Sequence, residues 1–293
     1  MSSFNLNNEI ELAEITKRVQ SYELEILEQI NRICREHGLT CFAVGGTVLG
    51  AVRHKGFIPW DDDIDLGMPR ADYERFLSIA PEELDERFVI QNYSTDPRSP
   101  FFFTKIRRNH TKFVEYSLRD YPIHHGIFVD IFPFDAVPEE DAARERQFKL
   151  ARFLYQLYLS KSLKTVYSSR LLGTRYETPT VRAQVKKKTR IRRFLHTLLL
   201  PVPKRWIYRL LDACVRRYNE EPHQEISHIT RRRLRVRLKD LYPIAYLPFE
   251  NTEIPVPHDY DAYLRGQFGN YMAMPPKDKR YGHLPCQVEF DCE

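Results

Sequence analysis

At 293 residues, 42% of them apolar and 13% aromatic, the chain is long enough to bury a sizeable core and reads as globular. Cys34, Cys41, Cys214, Cys286 and Cys292 are scattered and odd in number with no C-x-x-C, which argues against a disulfide framework and a structural zinc site. The net charge of +5 hides an asymmetry: residues 144–240 hold 26 Lys/Arg against 7 Asp/Glu, a net +19, so the remainder of the chain carries −14.

The N-terminus lacks a basic start followed by an apolar run, and the longest uncharged apolar stretch, "FLHTLLLPVP" from Phe194, is far too short to span a bilayer. A soluble cytoplasmic protein is expected. Leu24, Leu27, Ile30 and Cys34 recur at helical spacing over Tyr22 to His37, with Gly38 as a stop. "LTCFAVGG" predicts a short buried strand and "TVLGAVRH" a helix with Thr47 near its N-cap. "DIDLGM" predicts a strand with two unlike faces, and Pro69 opens a helix through Ala80.

"RFVIQNY", "FFFTKIRR", "TKFVEY" and "GIFVDIFPFD" supply further strands, and helical periodicity returns from Pro138. Two basic helical segments follow, separated by Pro201 and Pro203, then a hairpin in "YLPFENTEIPVP", a short helix in "DYDAYLRGQFG" and an irregular tail. The fold class is α+β, a short mixed sheet flanked by helices with a basic, mainly helical insert. Three parts are expected: a catalytic core over 1–140, the insert over 141–243, and a hairpin and tail over 244–293 that return to the core.

The stretch "GFIPWDDDIDLGMP" sets four carboxylates beside Trp60 and other apolar residues, a costly arrangement unless positive charge accompanies them. Residues two apart on a strand point the same way, so Asp63 and Asp65 share one face while Ile64 and Leu66 anchor the other. Paired carboxylates without a His or Cys cluster favour Mg²⁺ or Mn²⁺, and a nucleotide's phosphates would complete such a site. Asp130, in the apolar run "GIFVDIFP", offers a third carboxylate that can hold a second ion or take a proton. The pair Gly45–Gly46 at a strand-to-helix junction lets backbone approach phosphate, with the helix amides from Thr47 pointing at it.

Blander readings stand beside these. "DDDID" is equally a solvated turn; a calcium loop fails because Leu66 stands where glycine is required. Gly45–Gly46 alone is a tight turn, Asp130 a strand-end acid bonded to amides, and Phe57 and Trp60 core packing in preference to a cation–π surface for a quaternary ammonium group. Of the neighbours His124 and His125, at least one is expected in a loop role, with His125 kept as a substrate contact.

"GGTVLGAVRHKGFIPWDDDIDLGMPRADYERF", "HHGIFVDIFPFD" and "YDAYLRGQFGNYMAMPPKDKRYGH" together resemble the LicD family. The resemblance covers roughly residues 22–140 and 245–285. It implies a nucleotidyltransferase-like fold and transfer of phosphocholine from CDP-choline to a hydroxyl of a cell-surface glycan, teichoic acid or lipopolysaccharide precursor, with CMP leaving. It further implies metal binding at Asp63 and Asp65 with Asp61 in support and Asp130 completing the site, phosphate contacts at Gly45, Gly46 and Thr47, and Tyr281 and His283 closing over the nucleotide. Lys105, Arg107 and Arg108 are the candidates for neutralising the diphosphate, with Arg53, His54 and Lys55 as alternatives; a strand's solvent face is the plainer explanation of the first three.

The insert's charge invites polyanions, yet no nucleic-acid motif accompanies it. A phosphorylated acceptor, a lipid-linked glycan or an anionic membrane surface met by Arg192, Arg193, Lys204 and Arg205 is the expected partner, and no nucleic acid. Nucleotidyl transfer proper, or non-catalytic polyanion binding, are the competing functions.

Overall fold

The computed structural model describes residues 9–166, 171–172, 174, 176–230 and 234–291; Cys292 and the first eight residues lie outside them. Helix α1 (Glu9–Glu36) starts well before Tyr22 because Ile15 and Val19 extend the same apolar stripe. They join a small cluster with Phe113, Phe128 and Val288, while Ile26, Leu27, Ile30 and Ile33 enter the main core. Strand β1 (Phe42–Ala43) leads into α2 (Gly45–His54), which opens at the glycine pair and not at Thr47.

Strand β2 (Asp65–Pro69) and α3 (Arg70–Glu83) follow, then β3 (Phe88–Gln91), β4 (Thr104–Arg108), β5 (Lys112–Glu115) and β6 (Phe128–Val137). All ten residues of β6 are buried, as its nearly unbroken apolar run requires of a strand covered on both faces. The sheet runs β1-β2-β6-β4-β3, with β6 parallel to β2 and antiparallel to β4. The α+β expectation with a mixed sheet is met.

Helices α4 (Asp141–Ser162), α5 (Pro179–Leu198) and α6 (Lys204–Arg216) form the basic segment. Thr178 caps α5 by accepting from the Val181 amide, with Pro179 in the first turn. The segment does not stay helical: β7 (Glu225–Ser227) pairs with the end of β6, and β8 (Arg235–Arg237) pairs with β7 before α7 (Leu238–Leu241). Its last third therefore belongs to the core sheet.

The expected hairpin forms as β9 (Ala245–Phe249) and β10 (Thr252–Val256), followed by α8 (Tyr260–Phe268). The tail is more regular than its sequence suggested, since β11 (Pro285–Glu289) pairs antiparallel with β5. That pairing is what returns the tail to the sheet.

Asp135 ties these parts together. Nearly sealed from solvent on β6, it accepts from Arg70 Nε and Nη2 at 2.8 and 2.7 Å and from Asn219 Nδ2 at 2.8 Å, joining α3 and the α6–β7 connection to the central strand. Removing one partner of a buried pair leaves a charge with no counterpart. Arg70→Ala is expected to cost about 3–5 kcal/mol in urea unfolding; a loss below 1 kcal/mol would show that Asn219 alone satisfies Asp135.

Candidate active site

Strand register brings the first three groups together. Asp65 on β2 lies opposite Asp130 on β6, and Asp130 lies opposite Lys105 on β4, so one row across three neighbouring strands reads Asp65, Asp130, Lys105. The Lys105 ammonium donates to Asp130 Oδ1 at 2.6 Å and sits 3.3 Å from the Phe128 ring centroid. Burial lowers the Lys105 pKa, opposed by the attraction of Asp130 and then Glu115. The competing reading of Lys105, a candidate for the diphosphate, as part of a strand's solvent face does not hold, since it is 2% exposed and engaged by Asp130.

The acids before β2 occupy an extended segment. Ile64 is fully buried and its carbonyl accepts from the Asp130 amide at 2.9 Å, which carries the ladder one residue back and keeps Asp63 and Asp65 on the same side. Asp62 meets the tail. It accepts from the His283 amide at 2.8 and 3.0 Å, and its Oδ1 lies 3.0 Å from His283 Nδ1, while His283 Nε2 lies 3.7 Å from Asp63 Oδ2. A Cβ on Gly282 would fall 2.3 Å from Asp62 Oδ1, so only glycine lets the tail pass this closely.

Charge governs the cluster. Burial, then Asp63 and Asp62, raises the Asp61 pKa well above the ordinary carboxylate value. Burial would depress His283, but Asp63 and Asp62 outweigh it and push its pKa up to about 10. Glu23, projecting from α1, is 1% exposed; burial, then Asp63, Asp62, Asp61 and Asp130, holds its pKa well above normal. Both of its side-chain oxygens are buried without a hydrogen-bond partner among the described residues.

The glycine pair lies against these acids. A Cβ on Gly46 would come 2.9 Å from Asp61 Oδ2, and one on Gly45 would lie 3.8 Å from Asp65 Oδ2. The Gly45 amide donates to Tyr263 Oη at 3.0 Å, and the Thr47 hydroxyl accepts from the Asp65 amide at 2.9 Å. Thr47 thus orients Asp65.

Other candidates sit around or away from this centre. Arg53 donates to the Tyr271 carbonyl at 2.9 Å and to His54 Nε2 at 3.0 Å, and burial followed by the like charge of Arg280 lowers its pKa. Arg280 in turn lies over the Trp60 ring, 5.2 Å from its centroid, while Phe57 packs on Phe249 in the core. Lys55 is exposed at the end of α2, in a left-handed conformation with its carbonyl accepting from Glu250.

Arg107 is sealed under the sheet, donating to Gln91 Oε1 and the Gly126 carbonyl at 2.6 Å each, which makes it an internal brace. Arg108 alternates to the far face and pairs with Glu25 and Asp291, so it is not brought to the cluster. His125 bonds the Tyr121 carbonyl and His124 bonds Asn109, both in loop roles.

Residues 38–158 match the family model described as LicD/FKTN/FKRP, nucleotidyltransferase domain. These residues form a LicD-family domain. Across 89% of the chain and 92% of the relative's length, the protein is 26% identical to the lipopolysaccharide cholinephosphotransferase LicD of Haemophilus influenzae. Uncharacterized proteins of Rickettsia typhi and Rickettsia prowazekii match shorter parts, at 34% identity over 58 residues (20% of this chain, 19% of the relative) and 25% over 115 (37% and 43%). The family match takes in the glycine pair, the acids of the loop and β2, Lys105 and Asp130; Glu23 and His283 lie outside it.

The donor set suits a divalent cation. Asp62 and Asp63 offer carboxylate oxygens within 4.8 Å of each other, with His283 beside them as their counter-charge, and Glu23 brings two buried oxygens that lack a partner among the described residues into the same field. A second such group, Glu36, His37 and Glu83, is already engaged with Arg32. A buried acid with a raised pKa costs stability as pH rises above its unfolded value of 4.5. In chelator-treated protein, Glu23→Gln is therefore expected to melt higher than wild type at neutral pH, with the gap closing toward pH 4.5, and to bind Mn²⁺ more weakly by calorimetry. A variant less stable at every pH would contradict this reading of Glu23.

Proposed function

We propose that the protein is a metal-dependent transferase of the nucleotidyltransferase type that moves phosphocholine from CDP-choline to a hydroxyl of a cell-surface glycan, teichoic acid or lipopolysaccharide precursor. The observation that carries this reading is the convergence of Asp63, Asp65 and Asp130 beside the glycine pair, in a chain similar along most of its length to a cholinephosphotransferase. The free thiols of Cys34, Cys41, Cys214 and Cys286 suit a cytoplasmic site of action.

In this reading the acceptor oxygen attacks the phosphorus bearing choline, the bond from that phosphorus to the cytidylate oxygen breaks, and CMP leaves with the electron pair. Bound Mg²⁺ or Mn²⁺ would supply charge neutralisation for the donor's diphosphate. Asp63 and Asp65, with Asp61, Asp62 and Glu23 behind them, would hold that cation. Asp130 receives the hydroxyl proton, and Lys105 fixes the orientation of its carboxylate.

Thr47 sets the Asp65 backbone, and the glycine pair leaves room for phosphate beside Asp61 and Asp65. Arg53 and Arg280, close enough that one depresses the other, are assigned to the diphosphate, because an anion between them relieves their repulsion. The parts 1–140 and 244–293 build this site, and 141–243 contacts the acceptor.

The family description also favours nucleotidyl transfer, which would leave the nucleotide on the acceptor and release the other half of the donor. Product masses separate the two. Incubation with Mg²⁺, CDP-alcohols and candidate glycans is expected to release CMP from CDP-choline, and Asp63→Asn or Asp65→Asn to abolish release with the fold intact. Full metal-dependent turnover in either variant would overturn the site assignment.

A further inference from the structure

Of the fourteen large apolar side chains exposed among the described residues, eight fall between Leu150 and Leu210, seven of them in the helices of the basic segment and Leu200 in the turn between α5 and α6. Scattered exposed leucines are ordinary on a soluble surface; a concentration on one helical layer is not. On α5, Ile191, Phe194 and Leu198 follow the three- and four-residue spacing of a single helix face and are 53%, 69% and 62% exposed. Val185 is the buried residue of that helix, so α5 turns its larger apolar stripe outward.

The neighbouring helices repeat the pattern. Trp206 and Leu210 stand one turn apart on the outer side of α6 while Ile207, Leu211 and Val215 fill its inner side. Leu150 and Phe153 do the same on α4. The three helices belong to one layer: Gln147 on α4 bonds the carbonyls of Cys214 and Val215, His196 on α5 bonds Ser160, and Lys161 bonds the carbonyls of Leu199 and Leu200 at the α5–α6 turn.

The charge around this apolar surface is almost wholly of one sign. Between Pro179 and Arg217 stand twelve Lys/Arg and one acid, Asp212. Lys186, Lys187, Lys188, Arg190 and Arg193 are exposed on α5, and Arg205 and Arg209 on α6.

We infer that the outer side of α4, α5 and α6 is a docking surface for an anionic lipid bilayer. Aliphatic and aromatic side chains at the crest, a tryptophan at the edge, and long cationic side chains around them match the boundary between acyl chains and acidic headgroups. A polynucleotide would use the charge but leave the aliphatic crest in water, and no helix among the described residues is long and apolar enough to cross the membrane. The protein therefore lies on the surface, and the inference can fail independently of the transfer chemistry because it uses none of the residues around the acidic cluster.

The full-length protein tests this with large unilamellar vesicles of phosphatidylcholine, with and without phosphatidylglycerol, read by sedimentation and tryptophan fluorescence. The chain has two tryptophans, and Trp60 is packed against the core under Arg280, so Trp206 is the one expected to shift to the blue and be quenched by lipids brominated along the acyl chain. Binding is expected to require phosphatidylglycerol and to weaken with salt. The combined variant Phe194→Ser, Leu198→Ser and Trp206→Ser is expected to lose vesicle affinity by about tenfold or more, with its circular dichroism and melting unchanged. Failure to sediment with anionic vesicles, or undiminished sedimentation of a folded triple variant, would overturn the inference. A wild-type dimer that the triple variant converts to monomer, without vesicle binding, would overturn it by assigning the surface to a second copy of the chain.

Discussion

Mutual repulsion among buried carboxylates is the constraint on which the architecture turns. Glu23, Asp61, Asp62, Asp63, Asp65 and Asp130 reach one region from a helix, a loop and two strands, and such a gathering is stable only with positive charge set among them. Among the described residues, Lys105 stands on Asp130 and His283 between Asp62 and Asp63. Each is delivered from far along the sequence, Lys105 by the antiparallel pairing of β4 with β6 and His283 by β11 closing onto β5. The sheet order and the returning tail both serve to put charge where the acids are.

The local part of this arrangement was legible in the sequence. Alternation of Asp63, Ile64, Asp65 and Leu66 gave the faces correctly, because period-two geometry is a local property. Asp130 was visible as one acid in an apolar run. Glu23 carried a signal that went unread: it falls on the apolar face of α1, four residues after Val19 and three before Ile26, where a charge has no reason to be unless something uses it. Asp62 was missed because alternation sent it away from Asp63, whereas the loop lets it meet the tail instead.

What the sequence did not carry was register and long-range pairing. Lys105, Arg107 and Arg108 were one basic run on paper; in the sheet they part, the first to Asp130, the second into a brace under Gly126, the third to the opposite face with Glu25 and Asp291. Strands β7 and β8 were too short to announce themselves within a basic segment, and β11 gains its order from β5 and not from its own composition. The LicD-family match covers the region where local pattern was informative, and the groups that complete the cluster, Glu23 and His283, come from outside it.

In the proposed reaction the acidic cluster, a divalent cation and the donor diphosphate form a single binding unit. Calorimetric titration of CDP-choline into the protein, once with Mg²⁺ and once with chelator, tests it without dependence on an acceptor. Donor binding that appears with Mg²⁺, vanishes with chelator and is lost in Asp65→Asn is the predicted result. Equal donor binding with and without the ion, unaltered in Asp65→Asn, would contradict it.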